Sequence, residues 1–492
     1  MTVSKDNTGL IARPFLGKTH LEGPPSCKDA LMMLSIAPCV AFMTFGFALY
    51  PAISLIILSL LVVTGWLPVI IGFFKSALHK PETIKPLTDT ELPKLTILLP
   101  LHEEANMLQQ LADMLNAIDY PSEKLDCLVL LEAVDTPTAI AAMRIGWPDF
   151  TRILSVPKGV PQTEARACNY ALAYARGELL VIFDAEDMPH PQQMREAAAK
   201  FAAADDTLAC LQAPLRIYPR PGSWSQAQFA LEYRVLFSFI LPHLSAAMSC
   251  LPLGGSSNYF RRAALNHVGG WDDYNLTEDA DLALRLAGFG YRIGTLSLET
   301  LENAPHKISI WFFQRTRWQS GHIQLLHAYA LWSLRRLVQK RSPAKEAFKW
   351  RFVMLACILV LAVRLFSGLL FIASAAIYLM PTNIYITPLF LYLSLGFYPA
   401  YAVILFIYAP ADNWVDKIGL VVTHPIYWMM TFPAQIYALI RMACGQTGWL
   451  KSPHQPYVPD LRRAKSARLP TGRHGRPCAS EAALRRKDAG TR

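Results

Sequence analysis

Residues 179–187 read Leu-Leu-Val-Ile-Phe-Asp-Ala-Glu-Asp. The apolar first half is typical of a strand that is buried on both faces of a sheet. Carboxylates follow it at once, at Asp184, Glu186 and Asp187. Because ligands bind beyond the carboxyl ends of the strands in open parallel sheets, we expect this strand to end at a binding crevice.

Similar apolar runs precede this strand, and helical segments separate them. The runs lie at 95–99, 127–131 and 153–156, and the helical segments at 105–118 and 164–175. Short strands that alternate with helices favour an α/β fold with an open, mostly parallel sheet. Glu104 and Asp135 closely follow two of the strands, so the same crevice is expected to collect them with Asp184.

The composition favours a membrane protein over a soluble one. Of the 492 residues, 53% are hydrophobic and 17% are charged, and the formal net charge is +10. In membrane proteins an excess of Lys and Arg usually lies on cytoplasmic loops that face anionic lipid. No helix-turn-helix, zinc-ligand spacing or Arg-rich recognition segment accompanies the charge, which disfavours nucleic acid as a partner.

Four apolar stretches are long enough to span a bilayer as helices. They lie at 31–49, 52–74, 352–380 and 384–409. Lys75, Lys80, Lys85 and Lys94 follow the second stretch, which places that side in the cytoplasm. A fifth stretch, 418–443, contains two prolines and precedes a basic tail, so an interfacial or re-entrant helix is favoured over a crossing.

These features place a cytosolic domain between two membrane regions. The segments are a cytoplasmic N-terminal tail at 1–29, a transmembrane hairpin at 30–75, the domain itself at 94–330, transmembrane helices at 352–410, an interfacial or re-entrant helix at 416–445 and a basic tail, expected to be disordered, at 446–492. Within the domain, 224–244 and 308–326 are amphipathic and aromatic-rich. Each is interpreted as a helix in the membrane interface, with an ordinary core helix as the alternative.

Two further motifs combine charged, polar and aromatic residues. Thr277-Glu278-Asp279 fits the start of a helix, where a threonine can act as the cap and the helix N-terminus stabilises ionised carboxylates. Gln314-Arg315-Thr316-Arg317-Trp318 puts Gln314, Arg317 and Trp318 on one helical face, at positions i, i+3 and i+4. An arginine there can pair with phosphate, and a tryptophan ring offers an apolar face on which a sugar can rest.

Together these motifs resemble those of the membrane-embedded family 2 glycosyltransferases, the class that contains the cellulose, curdlan, mannan and hyaluronan synthases. The family motifs are Asp-x-Asp, matched here with Glu186 in the second place, Thr-Glu-Asp and Gln-x-x-Arg-Trp. The resemblance implies an open GT-A-type sheet domain, inserted between transmembrane helices. It also implies a multi-pass protein of the cell inner membrane whose catalytic domain is cytoplasmic.

The resemblance implies roles for individual residues as well. Asp279 takes the place of the general base, with Glu278 beside it. Asp184, Glu186 and Asp187 are the candidate ligands of Mg²⁺ or Mn²⁺, hard cations that prefer oxygen donors. The remaining assignments are nucleotide-sugar binding by Pro100, Glu104, Asp135, Asp184 and Arg317, and acceptor binding by Gln314, Trp318, Gly255 and Ser256.

Two positions depart from the family pattern. Relatives often carry paired aspartates where this chain has Val134-Asp135, and Thr-Lys where it has Thr163-Glu164. A glutamate near a diphosphate is expected to weaken donor binding unless Arg166 or Lys158 supplies the missing positive charge.

The predicted activity is inverting, metal-dependent and processive transfer of a sugar from a nucleotide sugar to a growing β-linked polysaccharide at the membrane. The resemblance to the family implies UDP-glucose as the favoured donor and GDP-mannose as the alternative. Membrane lipids are the expected surroundings, and the sequence does not specify whether accessory subunits take part. Two other interpretations stay open. One is transfer of a single sugar to a lipid, as in ceramide glucosyltransferases; the other is a catalytically degenerate assembly subunit, which only Val134 and Glu164 support.

Overall fold

A seven-stranded sheet forms the centre of the computed structural model, which describes residues 67–78, 84–218, 221–339 and 401–444, with the backbone alone for 326–339. The strands of this part, in chain order, are β1 (Leu95–Leu101), β2 (Leu125–Glu132), β3 (Thr151–Val156), β4 (Leu179–Ile182), β5 (Met188–Pro189), β6 (Leu208–Gln212), β7 (Leu215–Ile217), β8 (Asn258–Arg261), β9 (Arg292–Thr295) and β10 (Thr300–Glu302). The order across the large sheet is β3-β2-β1-β4-β8-β6-β9, and β5-β10-β7 form a smaller sheet.

Most neighbouring strands of the large sheet run parallel. β1 pairs in parallel with β2 and with β4, β2 pairs in parallel with β3, and β6 pairs in parallel with β9. β8 is antiparallel to both of its neighbours, β4 and β6. The predicted α/β class with a mostly parallel sheet is therefore confirmed. The predicted strands at 95–99, 127–131, 153–156 and 179–183 are observed to within two residues at each end.

Helices connect the strands throughout the described part. In chain order they are α1 (67–78), α2 (Leu108–Asn116), α3 (Thr136–Ala142), α4 (Glu164–Leu172), α5 (Gln193–Ala203), α6 (Trp224–Val235), α7 (Leu241–Met248), α8 (Arg262–His267), α9 (Glu278–Gly288), α10 (Ile308–Gln339), α11 (401–408), α12 (Trp414–Met429) and α13 (Thr431–Ala443). α2 and α4 match the predicted helices 105–118 and 164–175 but are shorter. A π-helical turn, Leu236–Ile240, joins α6 to α7, so the predicted segment 224–244 is helical throughout.

Two apolar cores enclose the large sheet. Alternate residues of β1 enter different cores: Leu95, Ile97 and Leu99 pack in one, with α2 and α5, and Leu98 packs in the other, with α4 and α6. All four residues are fully buried. Burial on both faces explains why this strand has a continuous apolar run instead of an alternating one.

The predicted membrane regions fall largely outside the described residues. The spans 31–49 and 352–380 lie wholly outside them, as do most of 52–74 and 384–409 and the tails 1–29 and 446–492. Among the helices that the structure does describe, none is both long and apolar enough to cross a bilayer. The segment 418–443 is helical and divides at Met430 between α12 and α13. The interfacial positions proposed for this segment, for 224–244 and for 308–326 stay predictions.

Close contact between β1 and the start of β4 makes Gly177 a test of the sheet. A methyl group at this position would lie 2.4 Å from the backbone nitrogen of Thr96 and 2.5 Å from the carbonyl oxygen of Leu179. Because both are backbone atoms, no side-chain rotation can relieve the overlap. We expect Gly177→Ala to lower the free energy of unfolding by about 2 kcal/mol, measured by urea denaturation. Gly146→Ala is the matched control, since no heavy atom lies within 4 Å of the added methyl group; equal losses in both variants would contradict this account.

Candidate active site

A cavity of about 160 Å³ collects residues that are distant in sequence. Its lining comes from the loop after β4, the loop before β8, the first turn of α9 and one face of α10. The predicted site residues that line it are Asp184, Glu186, Gly255, Ser256, Glu278, Asp279, Gln314, Arg317 and Trp318. Asp187, Pro100, Glu104 and Asp135 are not among its lining residues.

The loop after β4 presents two carboxylates to this cavity and uses a third to hold its own shape. Asp184 and Glu186 line the cavity. Asp187 is 1% exposed, and its Oδ2 accepts the backbone N–H of Asp184 at 2.9 Å. Burial, together with the nearby carboxylates of Asp184 and Glu302, raises the pKa of Asp187 well above its ordinary value. Asp187 therefore closes the turn that presents the other two carboxylates.

A divalent cation fits this donor set only if the substrate supplies further ligands. Among the described residues, no group of three or more His, Cys, Asp or Glu side chains is arranged to hold a metal ion. Mg²⁺ is commonly held by one or two carboxylates together with substrate phosphates and water. Asp184 and Glu186 can provide the two carboxylates of such a site.

The first turn of α9 places Glu278 and Asp279 at the cavity. Thr277 occupies the N-cap position, as predicted, but its side chain makes no capping hydrogen bond. Asp279 Oδ1 accepts the backbone N–H of Ala280 at 2.8 Å. Burial raises the pKa of Asp279 to about 6, although backbone N–H groups and Arg317 act in the opposite direction. Burial and the Asp279 carboxylate raise the pKa of Glu278 to about 8.

The predicted face of α10 lines the same cavity. Gln314, Arg317 and Trp318 all contribute to its wall. α10 lies very close to the start of α9, because a methyl group added at Gly321 would lie 2.5 Å from Thr277 Oγ1. Gly321 follows Trp318 by three positions and therefore allows the two motifs to approach each other.

A buried glutamine holds the loop before β8, which contains Gly255 and Ser256, and sequence analysis did not identify this glutamine. Gln212, at the end of β6, accepts the N–H of Gly254 at 2.7 Å and donates from Nε2 to the carbonyl oxygen of Ser256 at 3.0 Å. Asn258 Nδ2 donates to the carbonyl oxygen of Gly254 at 2.6 Å. These bonds leave Gly255 exposed at the cavity and Ser256 buried beside it. Alternation along a short strand gives no signal that would distinguish Gln212 from any other buried residue.

Asp135 ties together the loops that follow β1 and β2. Its carboxylate accepts the N–H of Glu103 at 2.5 Å and the N–H of Thr138, at the start of α3, at 3.2 Å. Burial on its own would raise the pKa of Asp135, but these N–H donors outweigh it and the pKa is lowered. Glu104 donates its backbone N–H to Thr138 Oγ1 at 3.2 Å. The loops after β1 and β2 were predicted to begin the nucleotide pocket. These hydrogen bonds hold the two loops to each other, but Glu104 and Asp135 do not line the cavity.

Glu164, one of the positions that depart from the family pattern, lines the cavity itself. Burial and the carboxylates of Asp184 and Glu278 raise the pKa of Glu164 well above its ordinary value, and Arg317 opposes that rise. Neither Arg166 nor Lys158 lines the cavity. Arg166 pairs instead with Glu132 at 2.9 Å and donates to the carbonyl oxygen of Pro157 at 2.8 Å. Neither side chain therefore supplies the compensating positive charge that was considered for this position.

Four further ionisable residues of the lining were not anticipated: Glu232, Tyr233, Glu302 and His322. Glu232 and Tyr233 belong to α6, which was noted only as an aromatic-rich amphipathic segment. Glu302 belongs to β10, a strand of three residues that is too short to be recognised from a periodic pattern.

A family model described as "Glycosyl transferase family group 2" matches residues 179–409. These residues are similar to a family 2 glycosyltransferase domain. The domain includes the loop after β4, the first turn of α9 and the cavity-lining face of α10. Its identity as an enzyme of this family agrees with the prediction from the motifs.

The glycosyltransferase domain is similar to several curated proteins over about half of this chain. The chain is 23% identical to a probable glycosyltransferase, YdaM, of Bacillus subtilis (strain 168), over 47% of this chain and 56% of that protein. It is 27% identical to the UDP-forming cellulose synthase 1 catalytic subunit of Komagataeibacter xylinus, over 51% and 33%. It is 24% identical to a beta-monoglucosyldiacylglycerol synthase of Synechocystis sp., over 51% and 53%. The chain therefore spans about half or less of the length of these relatives.

A solved structure covers more of the chain at lower similarity. This is the mannosyltransferase PcManGT from Pyrobaculum calidifontis, in complex with GDP-Man and Mn²⁺. It is 20% identical, with a TM-score of 0.47, and covers 78% of this chain and 99% of its own.

The raised pKa of Asp279 predicts a pH-dependent instability of the metal-free protein. A carboxyl group whose pKa rises from 3.8 to about 6 on folding binds more protons in the folded state, so stability falls as the pH rises between those values. We expect Asp279→Asn to raise the free energy of unfolding by about 1 kcal/mol at about pH 7.5, after allowance for solvent screening, and to leave it unchanged below about pH 4.

Thermal unfolding in the presence of a chelator, at both pH values, measures this difference. Asp113→Asn, on the exposed side of α2, is the matched control. A stabilisation by Asp279→Asn that is the same at both pH values would rule out titration of this carboxyl group as its cause.

Proposed function

We propose that the chain is an inverting, metal-dependent glycosyltransferase that extends a β-linked polysaccharide at the membrane. The observation that carries the proposal is the single cavity that contains Asp279, the carboxylates after β4 and the Arg317–Trp318 face of α10. Sugar transfer needs a base for the acceptor hydroxyl, neutralisation of the departing diphosphate and alignment of the two substrates. Each requirement has a candidate group in this cavity.

Asp279 is the proposed general base. Its pKa of about 6, raised by burial, lies near the working pH that suits proton abstraction. The carboxylate takes the proton of the acceptor hydroxyl as that oxygen forms its bond to the anomeric carbon. The bond from that carbon to the diphosphate breaks on the opposite side, so the configuration at this carbon inverts.

The donor side of the site is proposed to consist of Asp184, Glu186 and Arg317. Asp184 and Glu186 hold Mg²⁺ or Mn²⁺, and Asp187 supports the turn that presents them. When bound, the ion neutralises the charge that develops on the leaving diphosphate. Arg317 pairs with a donor phosphate. Pro100, Glu104 and Asp135 are proposed to shape the nucleotide end of the site through the joined loops after β1 and β2.

The acceptor side is proposed to consist of Gln314, Trp318, Gly255 and Ser256. The Trp318 ring supports a sugar of the acceptor, and the exposed Gly255 allows that sugar to approach the backbone closely. UDP-glucose is the proposed donor, which is consistent with the similarity to a UDP-forming cellulose synthase subunit.

A lipid acceptor is the second candidate. Leu236, Phe237 and Leu253 line the cavity and would suit an apolar chain. The similarity to a glycolipid synthase of Synechocystis supports the same alternative. The mass of the product separates the two functions, because a polymer and a glycolipid differ greatly in size.

Purified protein with Mg²⁺ or Mn²⁺ is expected to convert one member of a panel of UDP- and GDP-sugars into a labelled product of high mass. Asp279→Asn is expected to lower the transfer rate by about a thousandfold and to leave nucleotide binding intact, because the amide cannot accept the proton. The wild-type rate is expected to rise with pH through about 6, as Asp279 loses its proton. Product size, nucleotide release and nucleotide affinity are measured together.

Asp113→Asn is again the control and is expected to keep full activity. Retained transfer by Asp279→Asn would rule out Asp279 as the general base. Nucleotide release that requires added lipid would favour the glycolipid function. Metal-dependent nucleotide binding without turnover would favour a catalytically degenerate assembly subunit.

Glu164 is expected to weaken donor binding, because it supplies no positive charge to the cavity and its ionised form would add negative charge beside Asp184 and Glu278. We expect Glu164→Gln to lower the KM for the nucleotide sugar by about threefold to tenfold, and Glu164→Lys to lower it at least as much. Glu123→Gln, at an exposed position before β2, is the control in the same kinetic assay. A higher donor KM in Glu164→Gln would instead assign Glu164 a direct contact with the donor.

A further inference from the structure

One arginine of the α10 motif has no part in the chemistry proposed above. Arg315 does not line the cavity and is only 4% exposed. Its Nη1 and Nη2 donate to the two carboxylate oxygens of Glu232, on α6, at 2.8 Å and 2.5 Å. A two-point pair of this kind fixes the orientation of both side chains as well as their separation.

A tyrosine from α12 completes the arrangement. The hydroxyl of Tyr427 accepts from Arg315 Nη2 at 2.9 Å and donates to Glu232 Oε2 at 2.9 Å. It also accepts from Trp311 Nε1 at 3.0 Å. Tyr427 and Trp311 are both buried. Glu232, Trp311, Arg315 and Tyr427 are called the three-helix clamp below, because they join α6, α10 and α12.

The clamp contacts the proposed acceptor side directly. The guanidinium carbon of Arg315 lies 4.6 Å from the centre of the Trp318 ring, within the range of a cation–π contact. Phe229 of α6 also stacks near this ring, with the two ring centres 6.5 Å apart. Trp318 and Glu232 both line the cavity. The position of the Trp318 ring therefore depends on the buried charge pair behind it.

We propose that the three-helix clamp positions Trp318 for the acceptor, so that α12 helps to set acceptor affinity. Tyr427 is a positioning residue in this account, since it acts through Arg315 and Glu232 and does not touch the substrate. The inference rests on the proposed function, because it assumes that Trp318 supports the acceptor. Its distinctive consequence is a change in the acceptor KM without a change in the donor chemistry.

Tyr427→Phe tests the clamp, since it removes one hydroxyl group and keeps the ring. We expect it to raise the KM for a cello-oligosaccharide acceptor by about fivefold to tenfold, because the buried charge pair loses a hydrogen-bond partner. The donor KM and the slow hydrolysis of the nucleotide sugar without acceptor are expected to stay the same. Arg315→Lys, which keeps the charge but loses the two-point geometry, is expected to act in the same direction.

Tyr437→Phe on α13 is the matched control. Its ring packs against Phe312 and Phe313, and its hydroxyl has no hydrogen-bond partner within the part of the chain that the structure describes. Its acceptor KM is expected to equal that of the wild type.

If the wild-type protein is active, two results would overturn the clamp proposal without refuting the proposed function. One is an unchanged acceptor KM in Tyr427→Phe, and the other is a loss of donor hydrolysis that matches the loss of transfer, as a general folding defect would produce. A wild type that shows no turnover with any donor would instead refute the proposed function. The clamp is then tested by calorimetric binding of the cello-oligosaccharide: weaker binding by Tyr427→Phe supports it, and equal binding overturns it.

Discussion

The burial of closely placed carboxyl groups is the constraint on which the candidate active site depends. Glu164, Glu278 and Asp279 have raised pKa values because burial and neighbouring acidic groups disfavour their ionised forms. Among the described residues that line the cavity, Arg317 is the only Lys or Arg. A site of this kind is unfavourable by itself and becomes favourable when positive charge enters it. The proposed divalent cation would supply positive charge beside the same groups that are proposed to carry out catalysis.

The scaffold keeps these groups together by means that do not involve their charges. β4 is buried in both cores, so the carboxylates that follow it are fixed at one edge of the sheet. The N–H of Ala280 partly offsets the burial of Asp279 at the start of α9. Gly321 lets α10 approach Thr277, which carries Arg317 towards the acidic groups. The free energy of the apolar cores therefore offsets the electrostatic cost of the site.

The sequence predicted the parts of the structure that depend on local pattern. The buried strands were recognisable because burial on both faces produces continuous apolar runs, and the cavity-lining face of α10 followed from helical spacing in Gln314, Arg317 and Trp318. Parts that depend on long-range contacts were not predictable. Gln212 is indistinguishable from other strand residues until its bonds to the loop of Gly254 and Ser256 are known.

The same limit applies to the position of the antiparallel strand β8 and to the partners of the arginine side chains. No local signal places β8 between β4 and β6. Arg166 could be proposed from sequence as a replacement cation, but its pairing with Glu132 depends on how β2 and α4 meet. Arg315 and Arg317 are two positions apart, and only the packing of α6 and α12 shows that one is buried while the other lines the cavity.

The two sides of the cavity differ in how their charge is balanced, and this difference has a consequence for the proposed reaction. On the proposed donor side, the carboxyl groups of Asp184, Glu186 and Glu164 outnumber Arg317, and burial raises the pKa of Glu164, so the nucleotide and the cation are expected to bind together in the proposed reaction. On the acceptor side, Glu232 is neutralised by Arg315, and Tyr233 donates a hydrogen bond to Glu302. In the proposed reaction, an uncharged acceptor would therefore enter without disturbing the charge balance of this side. In the proposed reaction, release of the nucleoside diphosphate with its cation would return the donor side to the state that favours binding of the next nucleotide and cation.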